Sequence, residues 1–124
     1  MRIGTIGIDG KRHLLCFSVR VVRHCTERYG SINGLYSALS AEDELQALDE
    51  ALWLLAEMMQ AGDKYARMHG MDNAPCMSAE ELEDACDISD FVQMRAAIML
   101  TINNGRKTKV EVESSPNAEA TQGS

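Results

Sequence analysis

Apolar residues in the middle of the chain recur at alternating steps of three and four positions, the repeat of one face of an α-helix. Seven residues form this stripe: Leu45, Leu48, Leu52, Leu55, Met59, Gly62 and Ala66. Trp53, Leu54 and Met58 add apolar surface outside it, and a helix that is apolar on most sides is normally covered on most sides. The pattern therefore predicts a central helix over Glu42–Met68, on which the other elements pack.

Polar and glycine residues mark the ends of this central helix. Ser40 is the predicted N-cap, because its hydroxyl can accept a hydrogen bond from a free helical N–H and acidic residues follow at 42–44. Gly70 is the predicted stop. Gly62 costs about 1 kcal/mol relative to Ala inside a helix, and we interpret its missing side chain as the mark of a close helix crossing.

Two β-prone segments at the N-terminus, Ile3–Ile8 and Lys11–Phe17, flank the dipeptide Asp9-Gly10. Asp-Gly between such segments is a strong short-range signal for a two-residue hairpin turn. Because an isolated hairpin is only marginally stable in water, we predict that it packs on the central helix.

Capping residues and glycines predict shorter helices on both sides of the central one. Ser18 can cap a helix over Val19–Tyr29 that stops at Gly30, and Ser31 can cap a short helix around 34–39.

A second long helix is predicted nearer the C-terminus. Ser78 and Glu81 match the capping box that opens a short helix ending near Cys86, and Asp87 can cap the helix that follows. This second long helix ends at Gly105 and presents an apolar stripe of Phe91, Met94, Ile98 and Ile102.

The C-terminal residues change in character. Val110–Glu113 alternates as a short strand would, and Ser114–Ser124 contains no large apolar residue, so we predict a disordered tail. The predicted fold is mainly α with a minor β part: one helical domain over 1–113 with an N-terminal hairpin, and a polar tail over 114–124. The predicted core includes Leu45, Leu48, Leu52, Leu55, Phe91, Met94 and Ile98.

Length and cysteine usage limit which classes of protein the chain can belong to. The 124 residues suit a single domain, and no run of about eighteen apolar residues predicts a membrane span. Four cysteines lack the short C-x-x-C spacing of a zinc site. We predict buried, reduced thiols in a reducing compartment for Cys16, Cys25, Cys76 and Cys86.

Charge is spread unevenly along the chain. Residues 1–41 carry a net charge of +4, residues 42–90 carry −12 and residues 91–124 carry +1. A nucleic-acid binder needs a basic face large enough to release counterions, so the total argues against nucleic acid as a partner.

Motifs that carry chemistry are not recognised in the sequence. The acidic residues between 80 and 90 lack the ligand order of a calcium loop, and His13, His24 and His69 are scattered over different predicted elements. Neither a serine elbow nor a glycine-rich phosphate loop occurs. We therefore predict no catalytic residue, no metal and no cofactor.

Seven stretches within residues 3–113 share the style of one known family: Ile8-Asp9-Gly10, Leu15-Cys16-Phe17-Ser18, Thr26-Glu27-Arg28-Tyr29-Gly30, Leu48-Asp49-Glu50-Ala51-Leu52-Trp53-Leu54-Leu55, Met58-Met59-Gln60-Ala61-Gly62, Cys86-Asp87 and Asp90-Phe91. Together with the order of the predicted elements, these stretches resemble the tail assembly chaperones of long-tailed bacteriophages and prophages of Gram-positive hosts.

The resemblance implies a non-enzymatic factor that binds the tape measure protein, keeps its helical segments soluble and helps to recruit tail tube subunits. Such a factor would act in the host cytoplasm and be absent from the mature virion. A frameshift-extended form that contacts the tail tube protein, and weak homo-oligomers, are also compatible with it. Methionine suits adaptable binding surfaces as well as cores, and the candidate partner-binding residues are Met58, Met59, Met68 and Met71.

Two alternatives from other classes stay open. One is a structural tail or connector component that remains in the virion. The other is a small regulator that uses residues 18–39 as a helix-turn-helix, which the local positive charge favours and the total charge opposes.

Overall fold

A computed structural model of the chain describes the backbone of residues 2–122 and the side chains of residues 2–106. Its fold is mainly helical with a two-stranded antiparallel hairpin, which confirms the predicted class. The elements are β1 (Ile3–Ile8), β2 (Lys11–Cys16), α1 (Val19–Tyr29), α2 (Ile32–Leu39), α3 (Glu44–Met68), α4 (Ala79–Ala85), a 3₁₀ turn (Ile88–Asp90) and α5 (Phe91–Gln122).

The hairpin forms as the Asp-Gly signal predicts. Strand β1 pairs with β2 so that Ile8 faces Lys11 across the turn. Asp9 and Gly10 have φ angles of 52° and 76°, the left-handed values that a two-residue turn requires at both central positions.

The hairpin packs between the two long helices. Strand β2 lies against α3 and β1 lies against α5. A side chain at Gly62 would overlap the backbone carbonyl of Leu14 in β2. Gly62 therefore marks a close approach of helix and strand, and the predicted helix–helix crossing at this residue is wrong.

Side chains of α5 also bind the outer backbone of the hairpin. The Asn104 side-chain amide donates to the carbonyl of Ile3 at 3.0 Å, and that of Gln93 donates to the carbonyl of Gly7 at 3.3 Å. These bonds satisfy carbonyl groups on β1, an edge strand of a small sheet.

Helix α3 is the centre of the molecule, because β2, α1, α2, α4 and α5 all contact it. Five of the seven predicted core residues are buried, as predicted: Leu52, Leu55, Phe91, Met94 and Ile98. Leu48 is half-buried against this core. Leu45 is 63% exposed, so its assignment to the core is wrong. It lies in the first turn of α3, beside an open cavity and not under a covering element.

The start of α3 differs from the predicted one. Asp43 is the N-cap, and its carboxylate accepts from the N–H groups of Leu45 and Gln46 at 3.0 and 3.2 Å. Ser40 ends α2 instead, where its N–H donates to the carbonyl of Tyr36 at 3.1 Å.

The end of α5 also differs from the prediction. Its backbone continues past Gly105, which does not adopt the left-handed conformation found at Gly30 and Gly70. The backbone of residues 110–113 is helical, so the predicted short strand does not form there. The disorder predicted for 114–124 concerns residues beyond the described side chains and stays a prediction.

His13 is a buried titratable residue that makes folding sensitive to pH. Its side chain is 3% exposed in β2, and its Nδ1 has no hydrogen-bond partner within the described part of the chain. Burial and then the positive charge of Lys11 lower the pKa of His13 below its ordinary 6.5. Folding therefore favours the neutral form of the His13 side chain.

Acidification should therefore destabilise the fold through His13. As the pH falls below about 6.5, the unfolded chain gains a proton that the folded chain resists, so the free energy of unfolding decreases. Urea titrations between about pH 7.5 and pH 5.5 should show this decrease, and His13→Phe should reduce its slope. An equal slope in both proteins would contradict this role.

Candidate partner-binding surfaces

The four candidate methionines fall into two classes. Met58 and Met59 are 0% and 1% exposed, whereas Met68 and Met71 are 74% and 40% exposed. Assigning Met58 and Met59 to a binding surface is therefore wrong. Met58 and Met59 are successive residues, so their side chains leave α3 in different directions. Other parts of the protein cover the helix in both directions.

Met68 lies on the rim of an open cavity of about 330 Å³ between the C-terminal half of α3, the start of α1 and the end of β2. We call this cavity the Met68 groove. Its apolar lining consists of Cys16, Val19, Val21, Ala61, Tyr65 and Met68. Its polar lining consists of Arg2, Ser18, Arg20, Glu57, Gln60 and Lys64.

The Met68 groove combines a buried floor with exposed apolar walls. Cys16, Val21 and Ala61 are buried, whereas Val19 is 75% exposed and Met68 is 74% exposed. Exposed large apolar side chains beside a concave apolar surface are typical of partner-binding sites.

Local sequence explains why Val19 faces the groove. The Ser18 hydroxyl caps α1 by accepting from the Val21 N–H at 3.4 Å, which places Val19 at the first helical position. Val21 and Cys25 form the buried side of α1, so Val19 lies off that side. Sequence reasoning missed Val19 because one apolar residue beside a cap has no periodic signal.

Polar contacts between α1 and α3 fix the position of α1. The Tyr29 hydroxyl donates to Oε1 of Glu50 at 2.5 Å, and Nε of Arg28 donates to the same oxygen at 3.0 Å. The Arg28 guanidinium also lies 4.5 Å from the ring centroid of Trp53. These contacts hold the C-terminal end of α1 against the N-terminal half of α3.

Tyr65 lines the Met68 groove, and two neighbouring side chains contact its ring. Its ring stacks on the His69 ring with centroids 4.1 Å apart, and the Arg2 guanidinium lies 5.3 Å from the Tyr65 centroid. Met71 follows the helix, where its N–H donates to the carbonyl of Ala66 at 2.8 Å. Met71 does not line the groove, so the structure brings Met68 together with Val19 and Tyr65 but not with Met71.

A second open cavity, of about 220 Å³, lies near the other end of α3. We call it the Leu45 groove. Its apolar lining consists of Leu45, Leu48, Leu52, Leu82, Cys86, Ile88 and Met94, and its polar lining consists of Asp49, Glu83 and Asp87. Leu45 and Ile88 are 63% and 62% exposed. Sequence reasoning missed this groove because it placed Leu45 in the core.

No group of three or more His, Cys, Asp or Glu side chains that could hold a metal ion occurs among the described residues. His24 contacts Glu57, with Nδ1 and Oε1 2.5 Å apart.

Burial and the nearby Glu57 raise the pKa of Cys25 to about 11. Cys25 is therefore a thiol at neutral pH, the unreactive form of a cysteine nucleophile.

The four cysteines are free but not equally buried. Cys16 and Cys25 are buried, Cys86 is half-buried and Cys76 is exposed. Burial of all four was predicted, and it is wrong for Cys76, which lies in the exposed segment between α3 and α4.

Thiol reactivity should follow this order. In the native protein, a thiol reagent should modify Cys76 rapidly and Cys16 and Cys25 slowly, because burial raises the pKa of both buried thiols. After denaturation without reductant, titration should count four thiols. If the reagent modified all four thiols of the native protein at one rate, that result would contradict the burial of Cys16 and Cys25.

None of the helices, so far as the chain is described, combines the length and the apolar character needed to cross a membrane. No family model matches the sequence, and neither curated proteins nor solved structures provide a significant match.

Proposed function

We propose that this chain is a non-enzymatic chaperone of bacteriophage tail assembly that binds the tape measure protein. The observation that supports this function best is the Met68 groove, with two exposed apolar side chains beside a buried apolar floor. The sequence resemblance to tail assembly chaperones supplies the identity of the partner. The groove supplies a surface suited to that partner's helices.

Amphipathic helices bind grooves of this kind by inserting apolar residues spaced along one helical face. Burying one large aliphatic side chain contributes roughly 1.5–3 kcal/mol, so covering Val19 and Met68 together gives useful affinity. The unbranched side chain of Met68 can adapt to different residues. A chaperone that must hold many similar helical segments benefits from such adaptability.

The rim of the Met68 groove favours particular partner segments. Arg2, Arg20 and Lys64 line it against a single acidic residue, Glu57. An apolar stripe flanked by neutral or acidic residues would match this rim better than one flanked by lysines.

The helix-turn-helix alternative lacks support from the geometry of α1 and α2. Helix α2 contains no Lys or Arg, and only Gly30 and Ser31 separate it from α1. A recognition helix usually follows a turn of three or four residues and needs donors for phosphates and base edges. The other alternative, a structural component of the tail, predicts that the chain remains in purified virions, whereas a chaperone would be absent from them.

Co-expression with the tape measure protein tests the proposal directly. Full-length protein and a form ending at Glu113 should both keep tape measure protein soluble and co-purify with it. Mass spectrometry of purified virions should find the tape measure protein without this chain. A chain that binds no tape measure segment and remains in virions would be a structural component instead.

A further inference from the structure

The Leu45 groove is a second surface with a chemistry of its own. Leu52, Leu82 and Met94 form its buried floor, and the exposed side chains of Leu45 and Ile88 stand beside it. Leu45 is in the first turn of α3 and Met68 is in the last. At a rise of about 1.5 Å per residue the two are roughly 35 Å apart, so each groove can hold its own partner segment.

The rim charges of the two grooves are opposite in sign. Asp49, Glu83 and Asp87 line the Leu45 groove, and its lining contains no Lys or Arg. Within the described side chains, Asp49 and Glu83 form no ion pair. Both carboxylates are exposed and free to pair with an incoming cation.

Acidic residues also lie near Cys86, in the wall of the groove. Burial raises the pKa of the Cys86 thiol, and the neighbouring carboxylates of Asp90, Asp9 and Asp87 raise it further. A cationic group near this wall would therefore gain from several acidic residues at once.

We propose that the Leu45 groove docks a cationic amphipathic helix of a partner protein. A large apolar side chain of that helix sits between Leu45 and Ile88, and Lys or Arg residues on its flanks face Asp49 and Glu83. The apolar floor supplies affinity, and the acidic rim selects positively charged helices over negatively charged ones. This surface is additional to the proposed tape measure contact at the Met68 groove.

A pair of synthetic peptides tests the charge selection. Both form about four helical turns with the same leucine stripe, and one carries Lys on the flanks of that stripe where the other carries Glu. By fluorescence anisotropy, the Lys peptide should bind the full-length protein, and its affinity should fall as salt is raised. The Glu peptide should bind at least roughly tenfold more weakly, a difference of about 1.4 kcal/mol.

Variants of the groove locate the site. Leu45→Ser with Ile88→Ser should weaken binding of the Lys peptide at least roughly tenfold, about 1.4 kcal/mol. Asp49→Asn with Glu83→Gln should weaken it and reduce its salt dependence. Circular dichroism should show all variants folded, since each replaced side chain is exposed.

Matched controls separate the groove from general attraction to an acidic protein. Glu27→Gln with Asp72→Asn removes the same charge from exposed positions outside the groove lining. This control should bind the Lys peptide as the parent does. Equal weakening by both acidic pairs, or equal binding of the two peptides, would overturn the proposal.

A second copy of this chain is the other candidate occupant, because Val19, Arg20 and Arg23 give α1 an exposed apolar residue beside two cations. Sedimentation equilibrium tests this. If the protein sediments as a monomer, the result supports a helix of another protein as the occupant of the groove. Salt-sensitive self-association that Leu45→Ser with Ile88→Ser abolishes would assign the groove to a second copy and overturn the proposal.

Discussion

Leu55→Ala should lower the free energy of unfolding by roughly 2–5 kcal/mol, because it removes a fully buried side chain and leaves a cavity in the core. The same change at Leu45, which is 63% exposed, should alter stability by about 0.5 kcal/mol or less. Urea denaturation followed by circular dichroism gives both values. Equal losses at the two positions would contradict the central position of α3.

The comparison is informative because both leucines lie on the same predicted stripe of the same helix. The chemical change is the same Leu→Ala at both positions, and Leu and Ala are both good helix formers, so a difference of several kcal/mol between the two losses reports packing. Small domains are stable by only about 5–15 kcal/mol, and Leu55→Ala thus removes a large part of the total.

Val19→Glu with Met68→Glu should abolish co-purification of the tape measure protein. Both side chains are exposed on the rim of the Met68 groove, so the double change places two charges where an apolar stripe would be desolvated. Co-expression followed by affinity purification measures the loss. Circular dichroism should show an intact fold, which Met58→Glu at a fully buried position would not preserve.

Val92→Glu with Leu100→Glu is the matched control for this experiment. Val92 and Leu100 are 78% and 56% exposed on α5 and line neither groove, so the control adds the same two charges to exposed apolar positions without touching the proposed site. It should retain the tape measure protein. Loss of binding in the control as well would assign the effect to net charge and not to the Met68 groove.

The elements of this fold were predictable because their signals are local. Asp9-Gly10 specifies the hairpin turn, Ser18 and Gly30 delimit α1, and Ser78 with Glu81 forms the predicted capping box. Each signal depends on bonds within a few residues of the chain.

The errors arise where two local signals compete. Ser40 and Asp43 are both good capping residues, but Ser40 lies at the end of α2, so Asp43 caps α3. Gly105 lies within a helical stripe and, in the structure, keeps the helical conformation. Propensity alone does not choose between such options.

The candidate site was predicted less well, because exposure depends on which elements cover a helix and periodicity does not state this. Met58 and Met68 have the same chemistry and lie in the same helix, yet one is buried and the other is 74% exposed. In the structure Met68 lines the same groove as Val19, a residue far away in sequence. Such a long-range arrangement leaves no trace in the spacing of apolar residues.

Hydrogen exchange of the protein with and without a soluble tape measure fragment tests the central claim most directly. Binding at the Met68 groove should slow exchange of backbone amides at the start of α1 and in the C-terminal half of α3, and leave the first turn of α3 beside Leu45 unchanged. Exchange that is the same with and without the fragment throughout α1 and α3 would contradict the account.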